Sequence, residues 1–215
     1  MWKFEQLGET RLTAAVGGDD AVGCGIFPGL CKNADGSLAL LLVSGSGFES
    51  ADQRLVAFTG TADGLNWREA GPLSAIVSHG AAFTAAAKPT LLADGRLMAL
   101  GYGFERNDQS ETISGYAEKN GEFPTVRNAV WFSSDCGKSY SEGPVWLDLN
   151  HEGVEFSGPA LRLTDGRLLA FGPPFNLNKH GQLGCCFESN DGCDWREKSI
   201  FFDGDAITAW ECRGL

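Results

Sequence analysis

Apolar residues along this chain come in short runs that stop at turns instead of continuing into a helical face. The runs at residues 161–163 and 168–171 have strand length, and helix-period patterns of ten or more residues with caps are hard to find. The runs recur in a fixed phrase. An apolar segment meets an Asp-Gly turn in Asn33-Ala34-Asp35-Gly36-Ser37-Leu38, in Leu92-Ala93-Asp94-Gly95-Arg96-Leu97 and in Leu163-Thr164-Asp165-Gly166-Arg167-Leu168. Between these stands a second phrase, an acidic, glycine-containing turn closed by an aromatic residue. Its copies are Thr61-Ala62-Asp63-Gly64-Leu65-Asn66-Trp67, Ser133-Ser134-Asp135-Cys136-Gly137-Lys138-Ser139-Tyr140 and Ser189-Asn190-Asp191-Gly192-Cys193-Asp194-Trp195. The two phrases alternate strictly, which makes this a repeat protein with variable loops between the fixed parts.

Each unit has the length of a four-stranded antiparallel sheet, and Asp-Gly turns close tight hairpins because glycine accepts positive φ. The pattern therefore predicts an all-β chain, a β-propeller of four-stranded antiparallel blades. The units fall at approximately 22–75, 76–148 and 149–205 of a single domain, residues 1–215, with the start of a fourth at 206–215. Propellers close with roughly four to eight blades, so the chain is expected to be the N-terminal part of a longer ring. Its uncovered edges are expected to drive self-association.

Antiparallel order puts the Asp-Gly turns and the acidic turns on one rim and the longer connections on the other. Binding and catalytic residues are expected on the second rim.

Charge narrows the partners. With 28 acidic against 17 basic residues and a formal charge of −11, the chain opposes phosphate backbones and anionic membranes, so neither nucleic acid nor membrane is an expected partner. The opening Met1-Trp2-Lys3-Phe4-Glu5-Gln6 has no apolar signal core, and no run approaches the roughly 20 apolar residues of a membrane span. A cytoplasmic location is expected. The seven cysteines, with Cys185 and Cys186 adjacent, show no Cys-x-x-Cys spacing and the three histidines are not spaced as metal ligands. They are read as reduced, mostly buried thiols, and no metal or cofactor is expected.

The acidic turn resembles the Asp-box of the sialidase (neuraminidase) superfamily, Ser/Thr-x-Asp-x-Gly-x-x-aromatic. Ser133, Asp135, Gly137 and Tyr140 match it in full, and the other two copies are one residue short between Asp and the aromatic. The resemblance runs from about Gly25 onward. It implies six blades, of which about three are present, and boxes that are structural, not catalytic. It also implies glycoside hydrolysis on a terminal sugar, with a glycan or small carbohydrate as partner. That family begins its first strand with an Arg-Ile-Pro-like phrase whose arginine grips the substrate carboxylate. Here the phrase is Ile26-Phe27-Pro28, and the equivalents before Pro89 and Pro159 are Ala87 and Ser157. The family's tyrosine nucleophile, with its glutamate partner, would lie in blades beyond this chain.

One loop is used twice, Gly47-Phe48-Glu49-Ser50-Ala51-Asp52-Gln53 and Gly103-Phe104-Glu105-Arg106-Asn107-Asp108-Gln109. Asp52 falls where the resemblance places a general acid/base; the alternative is inherited repeat sequence that caps a strand. Glu49, Lys88, Arg106, Asp108, Glu155 and Glu211 are the substrate-binding candidates, with His79, His151, Glu152, Lys179 and His180 also on the loop rim. Glu155 and Glu211 each precede an expected inner strand, and are read as ordinary loop carboxylates or as groups beside an axial pocket. Trp210 is read as core or as a platform for a sugar ring. Two classes of function stay open: a glycoside hydrolase of the sialidase superfamily, and a propeller that binds a glycan or protein without chemistry.

Overall fold

The computed structural model describes residues 8–9, 12, 24–73, 77–78, 81–106, 111–140, 142–151, 153–175, 181–204 and 208–214. Three antiparallel sheets follow one another. The first blade holds β1 (Cys24–Lys32), β2 (Leu38–Gly45), β3 (Arg54–Gly60) and β4 (Trp67–Pro72) in that order. The second holds β5 (Val77–Ser78), β6 (Ala81–Leu91), β7 (Leu97–Arg106), β8 (Val126–Ser133) and β9 (Glu142–Leu147), with the helix α1 (Ile113–Asn120) inserted between β7 and β8. The third holds β10 (Leu161–Arg162), β11 (Leu168–Gly172), β12 (Leu183–Ser189) and β13 (Trp195–Asp203). The chain is an all-β propeller arc of three blades, and Leu38, Leu97 and Leu168 each open the second strand of the repeated hairpin.

The repeated turns explain the blades. In all three Asp-Gly turns the Asp carboxylate accepts the amide two residues on, Ser37 N at 2.9 Å, Arg96 N at 3.0 Å and Arg167 N at 3.1 Å. The glycines sit at φ 87°, 88° and 90°, where a Cβ is costly. The acidic turns close likewise. Thr61 Oγ1 and Ser133 Oγ donate to the following Asp at 2.5 and 2.8 Å, and Trp67 and Trp195 each donate Nε1 to a turn carbonyl at 2.7 Å. These turns also lock neighbouring blades. Asn33 Nδ2 of the first blade donates to Cys136 O of the second at 3.1 Å, and Gly192 of the third sits against Met98 of the second.

Apolar faces are buried between blades. Leu41, Val43, Ala57, Ala87, Ala99, Trp131 and Tyr140 form the core between the first two. Met98, Leu100, Val130, Phe156, Leu168, Phe187 and Trp195 form the one between the second and third.

Four features depart from the repeat. A two-residue strand, β5, adds a fifth member to the second sheet. The helix was not expected; Thr112 Oγ1 accepts Gly115 N at 3.0 Å and Gly121 ends it at φ 72°. No strand begins at Phe156. Phe156 N bonds back to Val154 O and Ser157 N to Glu155 O, both at 3.1 Å, and only Leu161 and Arg162 pair with β11. Pro159, which has no amide to donate, and the tight turns before it explain why. Residues 208–214 carry no strand either; they lie against the third blade, with Ala209 N on Gly181 O at 2.5 Å. Among the described residues, no helix is long and apolar enough to cross a membrane.

Candidate functional site

The inner edges of the three blades meet around one cavity of about 370 Å³. Its wall is built by features that break the regular repeat. In β1 the register slips between Ile26 and Gly29, and Phe27 takes a left-handed φ of 52°. The loop after β2 brings in Phe48, Glu49 and Gln53, with Glu49 at φ 58°. The β6–β7 hairpin supplies Thr84 and Tyr102, the turns before β10 supply Glu155, and residues 208–214 supply Trp210 and Glu211, the latter at φ 48°. Three of the non-glycine residues with left-handed backbone thus line the same cavity. Each such residue costs on the order of 1–3 kcal/mol and persists where surrounding structure enforces it.

Close backbone approach is part of the construction. Gly101 faces Ala86 O, and Gly172 faces Glu155 O, so nearly that a Cβ at either would collide with the carbonyl. Gly29 admits Lys88, whose side chain would lie 2.6 Å from a Cβ there.

Glu155 is buried and accepts Ser157 Oγ at 2.8 Å. The buried Tyr102 phenol is held protonated well above its ordinary range, first by burial and then by the Glu155 and Glu211 charges. Thr84 is buried as well, and its hydroxyl has no hydrogen-bond partner among the described residues although it lies on the cavity wall. Aromatic faces complete the surface: Phe27 and Phe48 pack at 6.3 Å between ring centres, and Trp210 is 54% exposed.

A smaller cavity of about 230 Å³ adjoins it, sharing Phe27, Ala86, Tyr102 and Glu211 and adding Lys88, Ser157 and Arg213. The Lys88 ammonium donates to Phe27 O and lies over the Phe27 ring, 5.8 Å from its centre. Burial, with repulsion from Arg213, pulls its pKa down to about 8, and Glu211 partly offsets this.

The structure gathers Glu49, Lys88, Glu155 and Glu211 around these two joined cavities. Glu49 is already engaged there, since its Oε2 accepts Ser114 N at the start of α1 at 2.8 Å. Arg106 stands behind the wall. It is buried and donates to Glu49 O at 3.1 Å and Glu111 O at 2.5 Å, tying the first-blade loop to the insertion.

Asp52 is outside the lining. Its carboxylate accepts Ser46 N at 3.1 Å, Ser46 Oγ at 3.0 Å and Ser50 Oγ at 2.5 Å. The Ser50 hydroxyl foremost, then the Ser46 groups, hold its pKa below the ordinary carboxylate value. Asp108, His79, Glu152, Lys179 and His180 lie outside the described residues. Ile26 is partly buried and packs against the core between the first two blades. Sequence reasoning passed over Phe27, Thr84 and Tyr102; the available signal was Gly101 and Gly103 flanking a tyrosine within an otherwise apolar strand.

No protein-family model matches the chain, and no curated protein matches it. Solved structures do. A protein of unknown function from Dyadobacter fermentans superposes with a TM-score of 0.62 at 17% identity, covering 84% of this chain and 56% of that one. The NanB sialidase of Streptococcus pneumoniae gives 0.60 at 13%, covering 90% and 47%. A GH93 α-L-arabinofuranosidase of Fusarium graminearum, solved with arabinobiose, gives 0.54 at 13%, covering 86% and 50%. At these identities the likeness establishes a shared fold, one found in glycoside hydrolases. The chain spans about half the length of these structures.

Proposed function

We propose that the axial cavity is a carbohydrate site and that the protein is a sialidase-like glycoside hydrolase acting on a terminal sugar of a glycan. The observation that carries this reading is the meeting, in one cavity, of Phe27, Phe48 and Trp210 with Glu155 and Glu211, on a scaffold shared with glycoside hydrolases. Aromatic faces cover the apolar side of a sugar ring, and carboxylates accept from its hydroxyls. Glycoside hydrolysis needs two carboxyl groups flanking the scissile bond, one to protonate the leaving oxygen and one to act as base or nucleophile. Glu155 and Glu211 are assigned these roles between them. Tyr102, firmly protonated, and Thr84 donate to sugar hydroxyls. Asp52 is the poorer proton donor, because a general acid needs its pKa raised and that of Asp52 is lowered.

The test is hydrolysis of a panel of aryl glycosides. Glu155→Gln and Glu211→Gln are each expected to lower turnover by roughly 10²–10⁴-fold, and Asp52→Asn to leave it within a few fold at matched folded concentration. A large loss at Asp52 alone would return the acid role to that residue. A second reading, a propeller that binds a glycan without cleaving it, is favoured by Ile26 at the family's arginine position. Saccharide-dependent change in Trp210 fluorescence with no hydrolysis would select it, and neither signal would remove both readings.

A further inference from the structure

Away from the axial cavity, three residues distant in sequence come together on the third blade. Cys185 lies on β12 and Glu197 on β13. Cys185 and Phe187 share a face of the sheet, being two apart, and Glu197 is directly across from Phe187. That pairing exists because the register slips between Cys186 and Phe187, where Lys198 is the additional residue of β13. The third member arrives from the end of the second blade. After β9 the chain turns through Asn150 at φ 57°, its amide held by Asp148 Oδ1 at 3.3 Å, and sets the His151 ring edge-on against Phe187 at 5.9 Å. There His151 Nε2 lies 2.8 Å from Glu197 Oε2, and the Cys185 sulfur stands beside the same carboxylate. The sulfur, one imidazole nitrogen and one carboxylate oxygen all fall within 4.8 Å of one another.

We infer that His151, Cys185 and Glu197 form a binding site for a borderline-soft divalent cation of the zinc type, placed at the junction of the second and third blades. The donor set is the argument. Thiolate, imidazole and carboxylate are the three zinc ligands of proteins, whereas calcium and magnesium take oxygen ligands alone. Bonds of about 2.0–2.3 Å to a tetrahedral ion bring ligand atoms within the mutual range found here.

Access and shielding fit the same role. Cys185 is fully buried, while the His151 and Glu197 side chains are 25% and 34% exposed, so an ion approaches from solvent and meets the sulfur at the inner end. On binding, the thiol gives its proton to solvent, the proton that His151 Nε2 shares with Glu197 leaves that nitrogen through solvent, a neutral imidazole taking one up at Nδ1, and both groups then bond the ion. Three protein ligands leave one position, and His151 also borders a groove of about 550 Å³ with Arg127, Asn128, Trp146 and Asp148. The site thus ties the loop after β9 to the outer strands of the next blade.

Cobalt(II) is the probe, because a thiolate bound to it absorbs in the near ultraviolet. Titrating cobalt chloride into the reduced protein is expected to produce that band, saturating at one equivalent and abolished by excess zinc. Cys185→Ser is expected to remove the band. His151→Gln and Glu197→Gln, at partly exposed positions, are expected to weaken cobalt binding by roughly tenfold or more. Cys186→Ser, one residue along and on the other face of the strand, is expected to leave it unchanged. Should Cys185→Ser fail to fold, the two exposed variants decide. No band in the parent protein, a band of equal strength in Cys185→Ser, or unchanged affinity in both exposed variants would overturn the inference.

Discussion

Asp135 shows what a carboxylate does in these turns: it accepts Ser133 Oγ, Ser139 N and Ser139 Oγ at 2.8, 2.9 and 2.6 Å. Asp135→Asn is therefore expected to destabilise the fold by about 1–2 kcal/mol, read as a lower denaturant midpoint with an unchanged slope. Burial alone would raise its pKa, but the Ser139 and Ser133 donors outweigh it, and the net shift is downward. Asp63, with Thr61 its foremost donor, and Asp191, with the Asp194 amide, shift the same way. A folded-state value below the unfolded one gives stability that is present above about pH 4 and lost as pH falls through the folded value. Acid titration of the denaturation midpoint should show that loss, reduced in the Asp135→Asn variant. Lys88 has the opposite consequence. Its pKa of about 8 lies below the roughly 10.4 of an unfolded lysine, so between these values the unfolded chain holds more protons and stability rises with pH. Lys88→Met should abolish that rise, seen as a difference from the parent protein that is largest below pH 8. The structural aspartates were legible in the sequence because they repeat. Tyr102 carried one local mark, the glycines on either side of it, and Thr84 carried none, because nothing in its neighbours distinguishes a residue beside a cavity from one in a core.

The strands were readable for the same reason, since three copies of one turn phrase fix where each hairpin closes. The helix was written in the sequence too, as Thr112 before it and Gly121 after it, but eight residues with a single buried member, Ile113, give no apolar stripe. Thr112→Ala is expected to cost about 1 kcal/mol through the lost cap, measurable by urea denaturation. The β6–β7 pair depends on Gly101, whose missing side chain leaves room for Ala86 O. Gly101→Ala is expected to cost roughly 2 kcal/mol or more and to alter the cavity wall, giving a lower melting temperature together with a changed Trp210 emission. Full inner strands of the third and fourth units were expected from the repeat; the third is cut to Leu161–Arg162, and none forms among the described residues of the fourth. There the phrase gives way to Pro159 and to backbone turns that serve Glu155, a local need that periodicity does not encode.

Across the whole molecule, apolar side chains remain on the two outer sides of the arc. Leu30 on β1 is 58% exposed, and Phe201 on β13 is exposed as well. Contact between such surfaces opposes a net charge of −11, so self-association is expected to be weak in dilute salt and to strengthen as salt screens the repulsion. Sedimentation at rising concentration and ionic strength tests this. Leu30→Lys should shift the distribution toward monomer, and a monomer under all conditions would reject it. The left-handed backbone at Phe27, Glu49 and Glu211 has a further consequence for how such a chain evolves. Glycine would relax each of these positions at once, so selection for folding alone pulls toward a smooth, glycine-lined hollow. Side chains persist there only under an opposing demand. In a lineage that had lost its ligand, Phe27 and Glu211 would be among the first to drift, whereas Glu49 would be held by its bond to Ser114 N, and a collection of sister sequences could be sorted into working and idle members by reading the first two.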